Sequence, residues 1–241
     1  MKKLLMLLVM LSLVLTGCGK AENAESKQPE SANTEAVVEQ ETPEAAPEEA
    51  PEEVEQKEPA LIVQPLPDTT MDNLEDAILS VSFNEGDAYV DDTGKMQMKV
   101  KIYTYDKYDM VDIAQLKEGD IIVTHAGEVE VTSLERSESG ILFVNGGLEN
   151  GGFDLVTDDS GIFFETGFDD AKNWYQVGEE TIRVSADMEG LDNSNPDAGE
   201  VVLYPGSFLV GEVTDYNFTP HNTTIRVEGG QIVELNRMYT P

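Results

Sequence analysis

One cysteine, one tryptophan and two histidines are all that 241 residues provide. A lone cysteine excludes an internal disulfide framework and any paired-cysteine metal or redox motif. Cationic residues are also scarce, with 15 Lys and Arg against 48 Asp and Glu, a net charge of −33. Neutralising phosphates needs clustered Lys and Arg, so nucleic acid is excluded as a partner class. Docking on anionic lipid through a polybasic patch is excluded on the same ground. The longest apolar run, Leu4–Leu15 with Ser12 inside it, falls short of the ~20 residues of a membrane-spanning helix. A domain typically takes roughly 100–200 residues, so the length fits one domain with attachments.

What is present begins with the string MKKLLMLLVMLSLVLTGC, Met1–Cys18. Lys2 and Lys3 precede the short apolar run, and small residues follow it. A charged start, a short apolar stretch and a small-residue exit describe a secretory signal peptide. The exit itself, Leu15-Thr16-Gly17-Cys18, resembles the lipobox of bacterial lipoproteins, and the only cysteine falls where that motif requires it. The resemblance is confined to these first 18 residues. It implies loss of residues 1–17, transfer of a diacylglyceryl group to the Cys18 thiol, and palmitate-type chains that hold the protein on the extracytoplasmic face of the cell membrane. Each buried CH₂ is worth ~0.8 kcal/mol, and two acyl chains anchor stably where one is marginal.

Residues 18–60 are expected to form a tether. From Gly19 to Ala60 there are 13 Glu against Lys20, Lys27 and Lys57, no aromatic residue, and prolines at 29, 43, 47, 51 and 59. Such a composition cannot bury enough apolar surface to offset chain entropy, which predicts a disordered spacer. Like charges and proline extend it.

Residues 61–241 carry the expected folded domain, with 10 Lys and Arg against 35 Asp and Glu. The dominant period is two. Met96, Met98, Val100 and Ile102 alternate with Gln97, Lys99, Lys101 and Tyr103, which predicts a strand with one apolar face. A turn at Asp91-Asp92-Thr93-Gly94 predicts a hairpin back to Ala88–Val90. Ile121–Thr124 and Val129–Leu134 flank another turn at His125-Ala126-Gly127-Glu128. Further short runs are Ile141–Val144, Phe153–Val156, Ile162–Glu165, Thr181–Val184, Val201–Tyr204, Phe208–Val213, Thr224–Val227 and Gln231–Leu235. Many short strands divided by turn clusters predict an all-β sandwich or barrel of antiparallel strands. Helix signals are few: a capping pattern at Thr70–Ala77 and one turn at Asp112–Leu116. Asp187–Glu200 has no apolar run and reads as a long acidic loop.

No set of residues in the sequence forms a coherent catalytic group. His125 and His221 fall in apparent turns, outside any G-x-S-x-G elbow. Asp91/Asp92, Asp158/Asp159, Asp169/Asp170 and Glu179/Glu180 are the candidate acid pairs, and nothing in the sequence raises one pKa selectively. No His/Cys spacing suits zinc. Asp187–Glu200 is rich in oxygen ligands, but Ser194 and Pro196 break the EF-hand pattern. The Gly-rich string Asn145–Gly152 lacks the following helix and lysine of a phosphate loop, and reads as a wide hairpin. Tyr103, Tyr105, Tyr108 and Trp174-Tyr175 are candidates for stacking on a glycan or anchoring a protein.

The expected function is therefore a non-enzymatic binding or assembly module at the cell surface. It is held to the bilayer through Cys18, with a cell-surface protein or glycan as partner and no cofactor. Two other classes remain open at this point: a carboxylate-dependent cell-wall glycan hydrolase, and a calcium-stabilised adhesion module.

Overall fold

The computed structural model describes residues 58–167 and 171–240. The signal peptide, Cys18 and nearly all of the acidic linker lie outside the described residues, as do Asp169 and Asp170. The fold is all-β. Its strands are β1 (Ile62–Val63), β2 (Ala77–Ser82), β3 (Ala88–Val90), β4 (Met96–Thr104), β5 (Lys107–Tyr108), β6 (Ile121–Thr124), β7 (Gly127–Glu130) and β8 (Leu134–Arg136). They continue with β9 (Leu142–Val144), β10 (Phe153–Thr157), β11 (Phe163–Thr166), β12 (Tyr175–Asn193), β13 (Val201–Leu203), β14 (Thr223–Glu228) and β15 (Gln231–Met238). A six-residue helix, α1 (Met110–Gln115), is capped by the Asp109 side chain on the Val111 N–H.

Five strands close on themselves. β12 pairs with β4 through Tyr175–Arg183 and with β15 through Arg183–Asn193. β15 pairs with β14, β14 with β2, and β2 with β4. Numbered within the barrel, the order is 1-2-3-5-4-1, with only strands 3 and 5 parallel. This is the strand order of a small OB-type Greek-key barrel. Alternation supplies the interior: Leu79 and Val81 from β2, Met98, Val100 and Ile102 from β4, and Ile225 and Val227 from β14 are buried.

Three register shifts bend the barrel strands, one of them in β12 between Gln176 and Gly178 opposite β4. In β15, Ile232 and Leu235 both point inward because Val233 is an extra residue opposite Arg226–Val227. In β12 the register slips between Val184 and Glu189, and the next inward side chain after Val184 is Met188. A bulge increases local bend and twist, which a small closed sheet requires. Asp187–Asn193 is therefore strand, where the sequence reads as loop. Phe208–Val213 differs as well. Pro205–Phe208 is a 3-10 turn, and Phe208 and Val213 join the barrel core beside Phe83 and Phe218. In place of the helix expected at Thr70–Ala77 there are turns and bends that lead into β2 at Ala77, because Asp68 and Asn73 hydrogen-bond the backbone N–H of Thr70 and Glu75.

Between β4 and β12 the chain builds a second unit with its own core of Tyr108, Ile113, Ile122, Val144, Leu155 and Phe163, among others. It consists of a five-stranded sheet, β5-β11-β10-β9-β8, and a three-stranded sheet, β1-β6-β7. β1 comes from ahead of the barrel and pairs in parallel with β6. Leu61 N–H donates to the buried Asp120 carboxylate at 2.8 Å, which fixes the chain's entry into this unit.

Candidate functional site

The inserted unit leaves the barrel after Thr104 and returns at Tyr175, and these two residues are register partners. Side chains from both crossings therefore meet by construction. Thr104, Asp106 and Tyr108 continue the inward parity of β4, so the Asp106 carboxylate is carried inside and is only 4 % exposed. A buried carboxylate needs donors. Tyr175 Oη donates to Asp106 Oδ1 at 3.0 Å. The His125 backbone N–H donates to Oδ2 at 2.6 Å, and His125 Nδ1 lies 3.0 Å from the same oxygen. The imidazole stacks on the Tyr175 ring at 4.2 Å and 15°.

His125 sits in the two-residue turn between β6 and β7, as its sequence context predicts, but its ring is tied to Asp106. Glu165, on β11, completes the group. One ligating atom from each of Asp106, His125 and Glu165 lies within 4.8 Å of the others. Asn173 Nδ2 donates to Glu165 Oε1 at 2.7 Å. Burial pushes the Glu165 carboxyl above the ordinary glutamate value, and the Asp106 charge adds to this. Asn173 and His125 act in the opposite sense. Burial, then the Asp106 carboxylate, holds the Tyr175 phenol well above the usual tyrosine range.

Beside this group lies a cavity of about 210 Å³ lined by Leu66, Asp68, Tyr105, Asp106, Lys107 and Tyr175. An aromatic cluster adjoins it: Tyr105 meets Trp174 edge-on at 4.9 Å and Phe164 at 5.6 Å. The Lys172 ammonium lies 4.4 Å from the Tyr105 ring, 5.4 Å from Phe164 and 5.8 Å from Trp174. Lys107 lies 4.9 Å from the Tyr105 ring. Such cation–ring contacts fix half-buried aromatics that would otherwise be free to reorient.

The structure thus brings Tyr105, Trp174 and Tyr175 to one place. Tyr108 is instead buried in the inserted core, donating to the Val123 carbonyl, and Tyr103 lies beside Ser82 on the barrel. Among the described residues, the candidate acid pairs are not brought together at this site. Asp91 and Asp158 accept turn N–H and hydroxyl groups of Thr93 and Ser160, while Glu179 pairs with Lys99. Within Asp187–Glu200, Asp192 is bound to Arg237 and the Ser194 N–H. The Gly-rich string forms a 3-10 turn at Leu148–Asn150 beside a cavity of about 360 Å³. Glu135, Glu149 and Asp154 line that cavity, a charge set that disfavours an anion. His221 is exposed in a loop.

The Asp106–His125–Glu165 convergence does not emerge from sequence reading. One signal was available: Asp106 occupies the inward register of an otherwise apolar strand face, and such a carboxylate must be partnered.

No protein-family profile, curated protein or solved structure matches this chain. A barrel strand order does not by itself assign a ligand.

Proposed function

We propose that this protein is a lipid-anchored extracytoplasmic module that binds or assembles with a partner at the cell surface and is not an enzyme. The observation that carries the reading is Leu15-Thr16-Gly17-Cys18 behind a short apolar run with a dilysine start. Acylated Cys18 is the anchor, and the Glu- and Pro-rich segment to residue 60 is the spacer. The spacer leads to Leu61 and β1, so the inserted unit is the first folded part it reaches.

Support for a binding role comes from the barrel edge and the aromatic cluster. β13 is an edge strand, and Val201, Val202, Tyr204 and Val210 are exposed along this stretch. Exposed apolar side chains on an unpaired strand edge are a surface that partners cover. Tyr105 and Trp174, half-buried beside the cavity, offer aromatic rings suited to a protein or glycan partner.

Replacing the anchor tests the reading. Cys18→Ser should leave uncleaved precursor or release protein from the membrane fraction. Fractionation and mass identical to wild type would contradict it.

A further inference from the structure

We propose that Asp106, His125 and Glu165 form a binding site for one divalent transition-metal ion of the zinc class, held by one imidazole nitrogen and two carboxylate oxygens. The inference goes beyond the anchoring and partner binding proposed above and does not depend on them.

Three observations carry it. The first is convergence. The three donors come from the exit of β4, the β6–β7 turn and β11, and one ligating atom from each lies within 4.8 Å of the others. A tetrahedral ion with bonds of about 2.1 Å needs ligand–ligand edges of about 3.4 Å. His125 Nδ1 and Asp106 Oδ2, 3.0 Å apart, already approach such an edge.

The second is that each donor is already oriented by a neighbour. Tyr175 holds Asp106 through Oδ1, leaving on Oδ2 a lone pair beyond that used by the His125 N–H. Asn173 holds Glu165 through Oε1, leaving its other oxygen. The Tyr175 ring fixes the imidazole plane by stacking. Ligating carboxylates and imidazoles in metal sites have outer partners of this kind.

The third is charge. Among the described residues neither Asp106 nor Glu165 has a Lys or Arg ion partner. Lys107 and Lys172 are turned to the Tyr105 ring. Asp106 is a buried carboxylate with the half-buried Glu165 carboxylate close by, and such a pair without a cation is costly. A bound divalent ion supplies the missing charge. The donor chemistry selects the ion. Calcium takes six to eight oxygens, whereas imidazole with carboxylates suits a borderline ion such as Zn²⁺.

The test uses the full-length chain, stripped with EDTA and exchanged into buffer with excess Ca²⁺ to occupy its many exposed acids. Zn²⁺ is titrated calorimetrically, and thermal unfolding is followed with and without it. One equivalent of Zn²⁺ should bind and raise the melting temperature, with no comparable rise from Ca²⁺ alone. Glu165→Gln and His125→Ala should each lower Zn²⁺ affinity about tenfold or more. Glu165→Gln keeps the acceptor for Asn173, so it decides the matter even if His125→Ala fails to fold. Absence of Zn²⁺ stabilisation in wild type, or equal affinity in Glu165→Gln, would overturn the site and assign any binding to scattered surface acids.

Discussion

The Tyr175 hydroxyl donates to the buried Asp106 carboxylate at 3.0 Å, joining residues 69 positions apart at the two ends of the inserted unit. Asp106 follows the end of β4 and Tyr175 begins β12, so the bond staples the insert's exit from the barrel to its return. The same carboxylate holds the β6–β7 turn through His125. One buried acid thereby connects the barrel to the three-stranded sheet of the inserted unit.

Tyr175→Phe removes this donor and leaves a buried charge with one partner fewer. Hydrogen bonds to charged groups are worth about 1.5–3 kcal/mol, and a loss of that size is expected in urea denaturation. In a double-mutant cycle with Asp106→Asn, the two substitutions should be clearly non-additive.

Glu165 gives a pH signature. Its folded pKa lies above the unfolded value, chiefly through burial. In the metal-free protein its ionised form therefore works against folding. The protonated form's advantage is complete below the unfolded glutamate pKa and is lost as pH rises through the folded value. Metal-free Glu165→Gln should melt above wild type at pH 7, and the difference should vanish at pH values where wild-type Glu165 is protonated in both states. Melting scans from pH 3 to 8 measure this. Asp215 shows the opposite sign: the Arg237 guanidinium holds its carboxyl low, so its contribution is lost as pH falls.

Two glycines separate a backbone clash from a yielding one. A Cβ on Gly152 would lie 1.9 Å from the Val144 carbonyl oxygen and 2.7 Å from that of Asn145. Gly152→Ala must push apart the β9–β10 hairpin, at a cost of about 3 kcal/mol, the upper end of ordinary overpacking. A Cβ on Gly178 would meet only the Met71 side-chain end, at 2.5 Å from Cε. Methionine yields readily, so Gly178→Ala should cost under about 1 kcal/mol. Chemical denaturation of the two variants makes the comparison.

Arg237 closes the far end of β15. It is 2 % exposed and reaches Asp192 Oδ2 at 3.1 Å, Asp215 Oδ2 at 2.7 Å and the Asp215 carbonyl at 3.0 Å, while its guanidinium lies over Phe218. Arg237→Ala loses packing and pairing together and should cost about 3 kcal/mol in denaturant unfolding. Asp215→Asn should cost less than about 1 kcal/mol, because that carboxylate is 69 % exposed.

Alternation made much of the strand content legible. β4, the β3–β4 hairpin, the β6–β7 turn and β14 follow directly from it. Barrel closure was hidden because it depends on one 19-residue strand whose period is broken between Val184 and Glu189. Asp187, Glu189 and Asp192 in that irregular stretch imitate a solvated loop. Phe208–Val213 imitates a strand, although Phe208 and Val213 belong to the barrel core beside Phe83 and Phe218. The Asp106–His125–Glu165 group was illegible as a group, because its members come from three elements that only tertiary folding assembles. Its first member was visible as a carboxylate on an inward register, a local inconsistency of the kind that marks functional or specially supported positions.

The central claim, anchorage through Cys18, is tested most directly by intact-mass and amino-terminal peptide analysis of protein taken from membranes. The account predicts a chain beginning at Cys18 and carrying a thioether-linked diacylglycerol. A full-length, unmodified chain starting at Met1 and recovered from the cytosol would contradict it.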